Sequence, residues 1–276
     1  MQLAIRDDIA KNIGQQPAFE WVQKLDGAVY RSVANRRTLR FELNGKGYFL
    51  KWHGGIGWKE VFKNLSSFRM PIWGAGNEWA AINRLTERNI PTMRWVGFGA
   101  RGWNPAQQES FIITDELAPT ISLEDLCRDW VSKPPPYRFK TQLIRNVASL
   151  ARDMHHAGVN HRDFYICHIL WRTSTPEYSQ IPRYQDLHII DLHRAAVRKS
   201  VPYRWLVKDV GSLYFSAMDC GLSWRDLLRF IRIYSGGLKR ALQQDAEFWR
   251  AVEKRALALY AEVWKREPPK IKGRHE

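Results

Sequence analysis

A chain of 276 residues, 45% hydrophobic and 13% aromatic, has apolar material for one large domain or two lobes, which excludes a disordered chain. Its formal charge of +15, from 43 basic and 28 acidic residues, favours polyanionic partners: nucleic acid, anionic lipid headgroups or a phosphorylated substrate. Three cysteines, Cys127, Cys167 and Cys220, lack CxxC spacing, which argues against a disulfide framework and fits a reducing compartment.

Near the start, Arg6, Asp7, Asp8 and Lys11 stand where a signal peptide would need an apolar run, and no stretch of about 18 apolar residues offers a membrane span. Residues 19–50 read as β structure, with Asn44-Gly45-Lys46-Gly47 as a turn signal and Tyr48-Phe49-Leu50-Lys51-Trp52 as the returning strand. Lys51 is the lone cation inside that strand, either an exposed edge charge or a functional one. Residues 53–76 interleave basic and aromatic side chains: Trp58, Lys59, Phe62, Lys63, Phe68, Arg69 and Trp73. That pattern suits either a solvated loop with a hydrophobic tuck or a contact surface for an anionic amphiphile or sugar.

The spacing predicts a helix from Glu78 to Asn89, with Glu78, Ile82 and Leu85 on one face and Ile90-Pro91 as its stop. Two strands are expected over 93–100 and 110–117. Asp115-Glu116-Leu117-Ala118-Pro119 then marks a lobe boundary, separating a β-rich half, 1–117, from a helical half, 118–276. Ser122 and Asp125 stand at capping-box-like spacing. Phe139, Leu143, Val147, Leu150 and Met154 form one helical stripe closed by Gly158. Residues 169–171 and 188–190 suggest a hairpin, and 205–266 reads as helical, with Phe248, Val252, Ala256, Leu259 and Val263 on one face. The fold class expected is therefore α+β.

Two stretches carry chemistry. Val159-Asn160-His161-Arg162-Asp163 precedes Cys167-His168-Ile169, and Leu187-His188-Ile189-Ile190 leads into Asp191. Phosphoryl transfer needs a cation for the donor phosphates, an anion to fix that cation, one carboxylate for the acceptor hydroxyl and another for Mg²⁺. Lys51, Glu78, Asp163 and Asp191 supply those types in that order. Each has a plainer alternative: Asp163 a turn residue, Asp191 a strand-end cap, Lys51 and Glu78 unrelated surface charges, His168 a packed loop histidine. His161 and Arg162 read as scaffold, His155, His156 and His193 as structural, and the cysteines as inert core thiols.

On these residues the chain resembles the protein-kinase-like superfamily. Tyr48-Phe49-Leu50-Lys51, Glu78, His161-Arg162-Asp163 and Asp191-Leu192-His193 stand for the strand lysine, its helix partner, the catalytic loop and the metal-binding segment. The resemblance implies a two-lobed protein-kinase-like fold, with a β-rich N-lobe and a mostly helical C-lobe. It implies ATP phosphates on Lys51 fixed by Glu78, adenine against the backbone between Asp115 and Leu117, Asp163 as catalytic residue, and Mg²⁺ on Asp191 and His168. His168 replaces an Asn, and its imidazole also suits Mn²⁺. The glycine-rich loop keeps only Gly27, so Ser32, Asn35 or nearby arginines would have to cover the phosphates.

A narrower resemblance, to the bacterial lipopolysaccharide core heptose kinases, rests on Trp58-Lys59-Glu60-Val61-Phe62-Lys63-Asn64, Gly74-Ala75-Gly76-Asn77-Glu78-Trp79, His161-Arg162-Asp163-Phe164-Tyr165 and Ile189-Ile190-Asp191-Leu192-His193-Arg194-Ala195. It implies ATP-dependent phosphorylation of an inner-core heptose, a lipopolysaccharide core acceptor, and work at the anionic cytoplasmic face of the inner membrane. Inner-core sugars and lipid A carry carboxylates and phosphates, which a cationic protein attracts. Two rivals stay open: a pseudokinase-like module that binds lipopolysaccharide, and a kinase for another sugar or small-molecule hydroxyl. No groove-entering or stacking motif supports nucleic-acid binding, and no protein partner is legible.

Overall fold

The structure is a computed structural model that describes residues 1–33, 35–55, 74–104, 107–174, 178 and 180–273. Two compact units emerge, one made of Met1–Asn83, Met93–Leu117 and Leu192–Arg194, the other of Arg84–Thr92, Ala118–Asp191 and Ala195–Glu276.

The first unit is built on a six-stranded antiparallel sheet. Its order is β1 (Gln2–Ile5), β5 (Trp95–Arg101), β6 (Glu109–Asp115), β4 (Lys46–His53), β3 (Arg36–Leu43) and β2 (Ala28–Val33). The β3–β4 hairpin closes on Asn44 and Gly45 at φ of 50° and 73°, left-handed values that the two-residue turn requires. Leu39 and Phe41 on β3 and Tyr48 and Leu50 on β4 are buried by strand alternation. Helices α1 (Asp7–Ile13) and α2 (Ala18–Lys24) cover that face with Ile9, Ile13, Phe19 and Val22.

Here the expectation of β structure from residue 19 is corrected. Pro17 sets an extended N-cap, and Phe19 and Val22 are then buried at i, i+3, a helical period rather than an alternating one. Helix α3 (Gly76–Glu87) buries Glu78, Ile82 and Leu85 as predicted, although it begins at Gly76 rather than at the expected Glu78.

In the second unit, α5 (Tyr137–His156) buries the whole predicted stripe from Phe139 to Met154. Before it, α4 (Leu123–Cys127) starts under a Ser122 cap whose hydroxyl accepts the Asp125 amide at 3.0 Å. Gly158 follows α5 at φ of 78°, and a Cβ there would lie 2.0 Å from the Arg198 carbonyl, so only glycine fits. Next come β8 (Val159–Asn160), paired with β11 (Ala196–Val197), and β9 (Ile169–Arg172), which lies between β7 (Thr120–Ser122) and β10 (Leu187–Ile189). Helices α6 (Tyr203–Ala217), α7 (Trp224–Tyr234), α8 (Leu238–Gln243) and α9 (Ala246–Trp264) complete the unit. On α9 the buried line is Phe248, Val252, Ala256 and Tyr260. Val263 is half exposed, because a strict i+4 repeat reaches Tyr260 in its place.

Candidate active site

Strand β4 places Lys51 and His53 on the face opposite Tyr48 and Leu50. Lys51 Nζ donates to Glu78 Oε1 at 2.8 Å, which joins the predicted strand cation to the predicted helix carboxylate. Glu78 is fully buried, and its Oε2 has no hydrogen-bond partner among the described residues. The charge on Lys51 therefore offsets most of the cost of burying that carboxylate. Burial, with the Arg36 and Lys51 cations, pushes the His53 imidazole down to about 3, so His53 is neutral.

At the end of β6 the Asp115 carboxylate is gripped by Arg6 through Nη1 at 2.9 Å and Nη2 at 2.8 Å. Arg6 also holds Asp8, so the Asp115 side chain anchors the N-terminal segment. The Asp115 amide donates to Arg94 O at 2.8 Å and the Glu116 amide to Gly47 O at 2.9 Å. Both amides are therefore spent within the first unit. Leu117 ends the second of the unit's three stretches. Gly27 meets a different need from covering phosphates: a Cβ there would lie 2.1 Å from the Arg40 carbonyl, so it lets β2 approach β3. Ser32 and Asn35 are exposed.

The second unit holds the two loops. His161 is buried, and its Nε2–H donates to the Ile190 carbonyl at 2.9 Å. Burial lowers its pKa, which keeps it neutral. That bond ties the loop bearing Asp163 to the segment before Asp191. Arg162 has φ of 74° and Asp191 φ of 59°, left-handed values that cost free energy in non-glycine residues and persist only where the surroundings fix them.

Asp209, on α6, fixes the first of these. Its carboxylate accepts the His161 amide at 2.7 Å and the Arg162 amide at 2.8 Å. Behind it, His155 Nε2 stands 3.4 Å from Asp209 Oδ2, and His155 Nδ1 is 2.7 Å from the Tyr234 hydroxyl. Asp209 and Tyr234 escaped the sequence reading. The legible signal for Asp209 was an acid on the buried side of α6, in step with Val210 and Leu213.

His168 follows five residues after Asp163 and turns back to it. Its Nδ1 lies 2.7 Å from the Asp163 carbonyl, which can only accept, so Nδ1 carries the proton. Nε2, the nitrogen that bears the lone pair in the neutral form of this tautomer, lies 3.7 Å from Asp191 Oδ2. The His168 ring stacks on His161 at 5.6 Å and 7°. Thus a nitrogen and a carboxylate, both aimed by backbone contacts, form a two-donor set. Among the described residues no group of three or more His, Cys, Asp or Glu could hold a metal. A pair of donors suits Mg²⁺ that takes its remaining ligands from phosphate and water. The residues therefore fit the cation that the kinase reading implies. Trp58, Lys59, Phe62, Lys63, Phe68, Arg69 and Trp73 lie outside the described residues.

Comparison with known proteins places the whole chain among relatives of one kind. A Pseudomonas aeruginosa protein named lipopolysaccharide core heptose(I) kinase WaaP is 47% identical over 261 residues, covering 94% of this chain and 96% of its own. An Escherichia coli protein of the same name is 50% identical over 247 residues, covering 89% and 92%. A solved structure described as WaaP in complex with acyl carrier protein superposes with a TM-score of 0.81 at 44% identity, over 94% of this chain and 100% of that one. That relative has a protein partner where the sequence of this chain showed none. The profile of the lipopolysaccharide kinase (Kdo/WaaP) family matches residues 20–234, and the chain belongs to that family.

Proposed function

We propose that the chain transfers the γ-phosphoryl group of ATP to a heptose hydroxyl of the lipopolysaccharide inner core. The observation that carries this reading is the pairing of His168 with Asp191 beside Asp163, held by Asp209. Lys51, kept in place by Glu78, holds the donor phosphates, and the carbonyl of Asp115, whose amide is bonded to Arg94, takes the adenine together with the backbone of Leu117. Asp163 orients the acceptor hydroxyl and receives its proton as the hydroxyl oxygen attacks phosphorus. The products are the phosphorylated heptose and ADP. A divalent cation bound at Asp191 and His168 supplies neutralisation of phosphate charge. The retained Lys51, Glu78, Asp163 and Asp191 weigh against a pseudokinase.

The acceptor is membrane-borne, which places the chain on the cytoplasmic face of the inner membrane. The +15 charge favours that anionic surface, and no helix among the described residues is long and apolar enough to cross a membrane. An acyl carrier protein is the protein partner we propose, by similarity to the solved relative. An apolar cavity of about 350 Å³ in the second unit, lined by residues including Leu143, Val147, Leu213, Phe230, Ile231 and Trp249, would suit an acyl chain.

The test is incubation of the protein and its Asp163→Asn variant with ATP, Mg²⁺ and dephosphorylated core lipopolysaccharide, with the product weighed by mass spectrometry. One added phosphate with the intact protein, and a kcat lower by about 10²–10⁴ in the variant, is expected for loss of a positioned base. No added phosphate with the intact protein, or equal turnover by both, overturns the reading.

A further inference from the structure

Helix α6 meets the loop from His161 to His168 at a second point. Ser216 follows Asp209 on α6 at i, i+7, about two turns on, so both side chains lie on one face of the helix. Asp209 takes the amides of His161 and Arg162, before Asp163. Ser216 takes one after it: the Ile166 amide donates to Ser216 Oγ at 3.0 Å. The direction of that bond is fixed. The Ser216 hydroxyl donates its one proton to the Leu213 carbonyl at 2.9 Å, so its lone pairs are what the loop meets. What Ser216 holds is the turn that carries His168. Residues Ile166–His168 form a single 3-10 turn with no side-chain cap, and the Ile166 amide is one of the donors that the start of such a turn leaves without an internal partner. The His168 amide closes the turn on the Tyr165 carbonyl at 3.0 Å. Rings add to the hold. Phe215, beside Ser216 in the chain, meets Tyr165 edge-on at 6.2 Å, and Tyr165 meets the His168 ring edge-on at 6.0 Å.

We propose that Ser216 is a positioning residue for the cation side of the site, as Asp209 is for the side that bears Asp163. This inference rests on the kinase reading, since it takes His168 as a ligand of the divalent cation. His168 Nε2 and Asp191 Oδ2 stand 3.7 Å apart, close enough to share one ion. A ligand in such a pair is useful only if its ring is aimed, and aiming is the work of groups one bond further out. Here the imidazole is aimed through its Nδ1 contact with the Asp163 carbonyl and its stack on His161. The backbone beneath it is placed by Ser216. Loss of the Ser216 hydroxyl leaves the Ile166 amide without its acceptor and frees the turn to shift along α6. Asp209 does not prevent that shift, because its two bonds lie on the far side of Asp163 in the chain. The two holds therefore act on different halves of the chemistry. Ser216 governs the cation and Asp209 the acceptor hydroxyl.

The test uses the full chain with Ser216→Ala, Ser216→Cys, Ser216→Thr and His168→Ala, their melting temperatures checked against the parent. Mn²⁺ alone is titrated without nucleotide, its free concentration read by electron paramagnetic resonance. Phosphate transfer from ATP to core lipopolysaccharide is titrated against Mg²⁺ alongside. Ser216→Ala is expected to weaken Mn²⁺ binding roughly tenfold and to raise the Mg²⁺ concentration for half-maximal activity by a similar factor, with KM for ATP at saturating Mg²⁺ moving by less than about twofold. Ser216→Thr, which keeps the hydroxyl, should restore most of the affinity. Ser216→Cys keeps the shape but is a weaker acceptor, so it should fall between parent and alanine; it also decides the question if the alanine variant does not fold. A merely structural role would lower the melting temperature and the rate and leave both metal curves in place. Mn²⁺ affinity in the alanine and cysteine variants equal to that of the parent, where His168→Ala has lost it, overturns the inference. Unchanged Mn²⁺ affinity in His168→Ala would remove the cation from His168 and overturn both the inference and that part of the proposed function. Metal affinity that follows Ser216 in a parent that transfers no phosphate would sink the kinase reading and leave the positioning role standing.

Discussion

The Lys51–Glu78 pair separates two roles that one substitution would confuse. Glu78 is fully buried, and the Lys51 side chain is only 16% exposed. Lys51→Met therefore removes the phosphate ligand proposed above and also strands a buried carboxylate, at a cost of about 3 kcal/mol in unfolding free energy. Adding Glu78→Gln removes that stranded charge. The double variant should recover most of the stability and none of the activity, read by urea denaturation alongside phosphate transfer. Equal stability in the single and double variants would show that the pair carries no structural weight. His168 is the second residue whose chemistry can be isolated. His168→Ala should raise the Mg²⁺ concentration for half-maximal activity about tenfold, as expected for loss of one ligand. His168→Asn, which offers an oxygen, should restore Mg²⁺ use and reduce the rate with Mn²⁺. Metal titration curves that coincide across the three proteins would remove His168 from the site. These residues were legible in the sequence because phosphoryl transfer demands fixed residue types in a fixed order. The Arg6 grip on Asp115 was not legible, since a strand-end carboxylate and an arginine in the first few residues carry no pattern that pairs them.

At the scale of elements, the loop bearing Asp163 owes its shape to α6. Arg162 at φ of 74° is held by Asp209, which accepts the consecutive His161 and Arg162 amides. Asp209→Ala leaves two buried N–H groups without acceptors, so it should lower stability by about 3 kcal/mol. Asp209→Asn keeps one acceptor oxygen and should fold more nearly as the parent. Its kcat should still fall about tenfold through misplacement of Asp163, with KM for ATP little changed. Circular dichroism melts paired with steady-state kinetics would decide; a full-rate Asp209→Asn enzyme would release Asp209 from any positioning role. The helices and hairpins themselves were readable where one period dominated, as in the Phe139 to Met154 stripe of α5. Reading failed at α2, whose seven residues are too few for a helical period to outweigh the Trp and Val content that favours strands. It failed again for Asp209, because the contact joins segments distant in sequence and only the burial of α6 reveals it.

Across the whole molecule, buried neutral histidines tie stability to pH. His53 sits at about 3 in the folded protein because burial and the Arg36 and Lys51 cations oppose its charging, against about 6.5 for an unfolded histidine. Above pH 6.5 or so neither state binds the proton, and the difference vanishes. Below that the unfolded chain gains a proton that the folded chain refuses, so stability falls as pH drops from about 6.5 towards 3. At about pH 5 this one residue removes about 2 kcal/mol, since each unit between the two values is worth about 1.4 kcal/mol. His161, whose pKa burial also lowers, acts in the same direction. Asp8, Asp186, Asp226 and Glu109, each held below its ordinary value by hydrogen bonds from neighbouring groups, keep their contribution down to about pH 4 and lose it progressively below that. The two families of groups can therefore be separated by titration. Urea unfolding at about pH 7 and pH 5 should show a loss in the parent that His53→Leu reduces by about 2 kcal/mol, while the steeper loss below about pH 4 remains in both. An identical drop between pH 7 and pH 5 in parent and variant would mean that the cations around His53 do not hold it neutral.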